Sequence, residues 1–136
     1  MVKTRSVSKT YSRLLAAGLM IFALMPALVV AQPPAPWVRA RRLISRTQND
    51  VQQAASFAAG GSKSDREHYD AALKHLSDFD RDLTRSRFNK GRLDDSIGDV
   101  QRILDHNTLN ARGRNLLQRD VVALRRLRAD YDSWHD

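Results

Sequence analysis

Cysteine is absent from all 136 residues. That excludes disulfide staples, thiolate metal sites, covalent haem attachment and a lipid-modified cysteine anchor, and leaves stability to packing. Methionine is confined to Met1, Met20 and Met25, so the chain beyond residue 25 offers no thioether ligand. Glutamate occurs only at Glu67, whereas di-iron bundles use several core-facing glutamates. The acid-x-x-His pairs Asp65 with His68 and Asp132 with His135 fall at opposite ends of an up-down bundle, about 30 Å apart. Sustained period-two alternation is missing, which argues against strands. No glycine-rich phosphate loop follows a strand, no nucleophile motif surrounds Ser45, Ser56, Ser77 or Ser96, and no fixed-period repeat is evident. Neither catalysis nor a cofactor is expected.

What is present begins with MVKTRSVSKTYSRLLAAGLMIFALMPALVVAQPPAP. Lys3, Arg5, Lys9 and Arg13 precede an apolar run from Leu14 to Val30. Basic then apolar is the order of an export signal, and Val29 and Ala31 supply the small residues that precede cleavage. Residues 1–31 are therefore expected to be a signal peptide and 32–136 a single helical-bundle domain, periplasmic or secreted. An uncleaved signal anchored in the inner membrane is the alternative. The run is short for crossing about 30 Å of hydrocarbon and is interrupted by Pro26. No adjacent arginine pair precedes it, which favours general secretion. The formal charge is +8, but four basic residues belong to the signal, so residues 32–136 carry +4.

Beyond Pro36, apolar residues recur at helical spacing. Trp37, Ala40, Ile44, Thr47, Val51, Ala54 and Ala58 form one stripe, which Gly60-Gly61 ends. Ser64-Asp65-Arg66-Glu67 matches a capping box and opens a second stripe, Tyr69, Ala72, Leu76, Phe79 and Leu83. Asn89-Lys90-Gly91 is read as a turn before a third helix on Leu93, Ile97, Val100 and Leu104, weakened by Gly98. The segment His106 to Asn110 breaks the pattern, with Asn110 as N-cap. A fourth stripe runs through Leu117, Leu124, Leu127, Tyr131 and Trp134. The expected fold is all-α, an up-down antiparallel four-helix bundle. A three-helix bundle with a broken last helix competes with it.

Asp78, Asp80 and Asp82 have the alternate spacing of a calcium loop. The sixth and twelfth positions would need glycine and glutamate, and hold Leu83 and Asn89. Helical spacing puts Asp78 and Asp82 on one flank and Asp80 across the stripe, with Lys74, Arg81 and Arg85 placed to pair with them. His68 and His106, with Asp65, Glu67 and Asp105 nearby, form the one arrangement suggesting a weak zinc or copper site. Two exposed imidazoles at helix ends are the alternative, and no metal is expected.

Arginine with aromatic residues is the remaining pattern. Arg39, Arg41, Arg42 and Arg46 crowd the start of the first helix beside Trp37, and Arg125, Arg126 and Arg128 lie late in the fourth beside Tyr131 and Trp134. An antiparallel bundle brings both groups to one end, where Arg85, Arg87, Lys90 and Arg92 join them. Such a surface suits an anionic envelope component or a protein partner. Membrane-surface contact and self-association are further uses of the same end, because a fourth helix longer than the third would overhang and expose Tyr131 and Trp134. Nucleic acid is not an expected physiological partner of an exported protein.

The second half, FNKGRLDDSIGDVQRILDHNTLNARGRNLLQRDVVALRRLR, resembles the C-terminal half of small exported bacterial helical proteins of unassigned function. The shared features are the turns and caps at Asn89 to Arg92 and Asp105 to Asn110. The resemblance implies a common fold and carries no activity. Exported helical chaperones with LTxxQ repeats are a looser comparison, and this chain lacks those repeats.

Overall fold

The computed structural model describes residues 36–58 and 60–133. The expected signal peptide, its cleavage point, Trp134 and His135 lie outside the described residues. Four helices follow in order: α1 Pro36–Phe57, α2 Lys63–Thr84, α3 Lys90–His106 and α4 Ala111–Ser133. No strand occurs among the described residues. α1 packs on α2 and α4, and α3 packs on the same two, so the helices stand around a square in chain order. This is the up-down four-helix arrangement the stripes predict.

Those stripes meet along the axis. Ile44 and Val51 of α1, Leu76 and Phe79 of α2, Leu93, Val100 and Ile103 of α3, and Leu117 and Leu124 of α4 are fully buried. Each such side chain stabilises the fold by about 1.5–3 kcal/mol relative to exposure. Helices of 17 to 23 residues could not form alone at useful population; the shared core holds them.

The connections show where local chemistry departs from expectation. α1 unwinds through Gly60, whose φ of +114° suits a residue without a Cβ, and Gly61 N–H donates to the Ala58 carbonyl at 2.7 Å. Ser62, not Ser64, caps α2, its side chain accepting from Asp65 N–H at 3.1 Å. The helix thus starts before the predicted capping box, and Glu67 instead pairs with Lys63 at 3.6 Å.

Between α2 and α3 the turn is also earlier than predicted. Both Arg85 and Arg87 donate backbone N–H groups to the Asp82 carbonyl, and Ser86 takes a left-handed φ of 56°. Asn89 is the N-cap of α3, accepting from Arg92 N–H at 3.2 Å, so Lys90 and Gly91 belong to the helix. The last connection separates α3 from α4 with its own caps: Asn107 ends α3, and Asn110 accepts from Gly113 N–H at 2.7 Å. Two capped helices packed on each other set aside the three-helix alternative.

α3 has 17 residues and α4 has 23, a difference of about 9 Å at 1.5 Å per residue. The excess does not expose Tyr131. Its ring stacks on Phe88 with centroids 3.9 Å apart, and Phe88 meets Phe79 edge-on at 5.2 Å. The connection before α3 therefore covers the overhang that the sequence predicts to be bare.

Candidate functional site

The three aspartates of the second stripe point in two directions, as their spacing requires. Asp80 faces α1 and takes Arg41 at 3.0 Å. Asp78 lies on the other flank, with Lys74 at 2.9 Å, Arg81 at 3.2 Å and Arg92 at 3.9 Å. Lys74 foremost holds its carboxyl below the ordinary range. Asp82 is not a solvated flank residue: it is buried. Its oxygens accept from Arg87 at 3.1 Å and from Asn89 and Arg92 at 3.2 Å. Arg85 donates only its backbone N–H to this turn. A carboxylate ringed by two guanidinium groups and one amide ties the connection to α3.

His68 and His106 do come together, with ring centroids 6.1 Å apart. Nδ1 of His68 is 2.6 Å from Oδ1 of the buried Asn107. Asn107 also donates to the Asp65 carbonyl, tying α2 to the end of α3. No group of three or more potential metal-ligating His, Cys, Asp or Glu side chains occurs among the described residues. A histidine the sequence reading passed over, His75, pairs with the buried Asp99, which Arg102 also holds at 3.0 Å.

The arginine and aromatic end sorts into two populations. Arg41 pairs with Asp80, Arg125 donates to Gln101 at 3.2 Å, and Arg128 reaches Asp94 at 3.0 Å and also Asp132. Lys90 lies 2.6 Å from Asp132 and is the largest cause holding that carboxyl below its usual range. Arg46 is not at the end at all. It lies midway along α1 and bonds Asp120 of α4 at 3.2 Å. Tyr131 is occupied by its stack on Phe88, and Trp134 lies outside the described residues. Trp37, Arg39, Arg42 and Arg126 remain exposed. None of those three arginines makes an ion pair among the described residues.

The helix boundaries also show a charge division that was not anticipated. α1 and α4 together carry ten arginines and four aspartates, a formal +6; α2 and α3 carry seven basic and ten acidic residues, a formal −3. Because α1 contacts α4 and α2 contacts α3, the bundle has a basic wall and an acidic one. Antiparallel packing, registered by Arg46 against Asp120, sets Arg39 and Arg42 beside the C-terminal half of α4. Along the whole of α4, Arg112, Arg119 and Arg126 recur every seven residues on one face, and only Arg126 lies in that C-terminal half. Val122, 68% exposed, sits between the last two, and Arg112 lies over the exposed Phe57 ring at 5.8 Å. The signal was available: residues counted helix by helix, rather than arginines grouped by position, reveal the wall.

In comparisons with known proteins, no family model matches this chain, and no curated protein or solved structure matches it either.

Proposed function

We propose that this is an exported, non-enzymatic helical protein that binds an anionic component of the cell envelope through the arginine and aromatic end of its α1–α4 wall. The observation that carries the reading is the set Arg39, Arg42 and Arg126. All three are exposed and free of ion pairs among the described residues, beside the exposed Trp37, on two helices of net +6. A guanidinium already paired to a carboxylate has little left to offer an anion, so Arg41 and Arg128 serve the fold while these three serve the surface. Export is supported by the basic-then-apolar N-terminal pattern.

The test is sedimentation with vesicles containing anionic lipid, compared with purely zwitterionic ones. Each basic side chain near a charged bilayer adds about 1 kcal/mol. Replacing Arg39, Arg42 and Arg126 together by glutamine should weaken binding roughly 100-fold. Binding should also weaken as salt rises. Equal binding by the triple variant overturns the assignment. A second reading, a protein partner, is favoured by Val122, an apolar centre rimmed by Arg119 and Arg126. Photo-crosslinking from position 122 in cells, yielding one discrete adduct, would select it.

A further inference from the structure

Asp120 is the least compatible residue with the core in which it lies. Its side chain is 1% exposed. Oδ1 accepts from Nε and Nη2 of Arg46 at 3.3 and 3.2 Å. Oδ2 is buried and has no donor. A buried oxygen without a partner destabilises the fold, so the polar surroundings of Oδ2 matter.

The acidic neighbour is another carboxyl. Asp50, one turn beyond Arg46 on α1, lines the same small pocket as Asp120. Arg46, Asp50, Arg119 and Asp120 together line a pocket of about 100 Å³ in the α1–α4 seam. Two ionised carboxylates are both acceptors and repel each other. One proton shared by the pair would resolve both problems, turning one acceptor into a donor while Oδ1 of Asp120 continues to accept from Arg46. A metal cation is less suited, because two guanidinium groups already share the pocket. α3, the other helix packed on α4, places no charged group among those acting on Asp120 or lining the pocket.

We propose that the Asp50–Asp120 pair is a buried proton-binding site in the α1–α4 seam, filled in mildly acidic solution, whose emptying on alkalinisation loosens that seam. The site goes beyond the binding surface proposed above and does not depend on it. Burial first, then the charge and hydrogen bond of Asp50, push Asp120 up to about 7 against the opposing effect of Arg46. The native state therefore holds a proton that the unfolded chain releases near pH 4. The stabilisation is complete below that value and is lost as pH rises through the native value.

The experiment is a ¹³C-carboxyl NMR titration of the purified protein labelled in aspartate, with Asp120→Asn assigning the resonance and urea unfolding followed from pH 4 to 8.5. A midpoint near 7 is expected for Asp120, falling in Asp50→Asn. The wild-type unfolding constant should rise up to tenfold per pH unit relative to Asp120→Asn, whose amide mimics the protonated acid at every pH. If Asp120→Asn fails to fold, the Asp50→Asn comparison alone still decides. An Asp120 midpoint near the ordinary carboxyl value overturns the proposal. So does a midpoint that falls when magnesium or calcium is added, since a metal would then be the ligand.

Discussion

Removal of the Asp82 carboxylate should be the most costly single change at the α2–α3 connection. The Asp82 side chain is 5% exposed, and three donors converge on it: Arg87 at 3.1 Å, and Asn89 and Arg92 at 3.2 Å. Asn89 in turn caps α3 through its other side-chain atom, so one carboxylate orients both the turn and the N-cap of the next helix. Breaking a fully buried ion pair costs about 3–5 kcal/mol, because the surviving charge is stranded. Here the survivors are not stranded: Arg87 is 65% and Arg92 41% exposed, so both rehydrate. The expected loss for Asp82→Ala is about 2–3 kcal/mol, the scale of one to two charge-assisted hydrogen bonds with partial loss of a cap. In urea that is a midpoint shift of about 1–2 M. Asp80→Ala, two residues away, removes a pair between groups 49% and 29% exposed and should cost less than about 1 kcal/mol. Equal losses for the two variants, or a loss below about 0.5 kcal/mol for Asp82→Ala, would refute the reasoning that burial of the acceptor sets the energy.

The helical glycines give a second, opposed pair of outcomes, read by thermal or urea unfolding. At Gly98 a Cβ would meet nothing within 4 Å, so Gly98→Ala should stabilise by about 0.8–1 kcal/mol, the difference in helix propensity. At Gly113 a Cβ would lie 3.2 Å from Oδ1 of Asn110 and 3.6 Å from the Ala54 Cβ. Displacing that oxygen disturbs the N-cap of α4, so Gly113→Ala should destabilise by about 1 kcal/mol despite the gain in propensity.

Periodicity carried the fold because each helix buries one stripe. Phe79 and Leu83, or Leu117 and Leu124, can be placed inward from spacing alone. Caps were less legible. Ser62 and Ser64 are both competent hydroxyls within one turn, and which one caps depends on how Gly60 and Gly61 leave α1, a detail decided by backbone angles. The buried acids were illegible for a different reason. Asp82, Asp99 and Asp120 occupy positions at the edge of a stripe where sequence reads a charged flank. Only the neighbouring helix decides whether an arginine or histidine closes over them. The aromatic end failed on the same ground: Phe88 lies between helices, outside any stripe, yet it is what covers Tyr131.

The charge division explains why the four seams are built differently. α1 meets α2 through Arg41 and Asp80, and α4 meets α3 through Arg128 and Asp94, each a basic helix against an acidic one. These exposed pairs add little energy but set like charges apart and favour this register. The α1–α4 seam joins the two basic helices and cannot use that device. It is held by apolar packing and by Asp120, drawn inside against Arg46, with Asp50 lining the same pocket. Placing a carboxyl where cations would otherwise face each other reduces repulsion, but burying it raises its proton affinity. Pairing it with a second carboxyl raises that affinity further. The same arginine excess that leaves Arg39, Arg42 and Arg126 available at the surface therefore accounts for a protonated acid in the seam beneath them. It follows that neutralising Arg46 should raise the Asp120 midpoint, whereas neutralising the outlying Arg126 should leave it near its wild-type value.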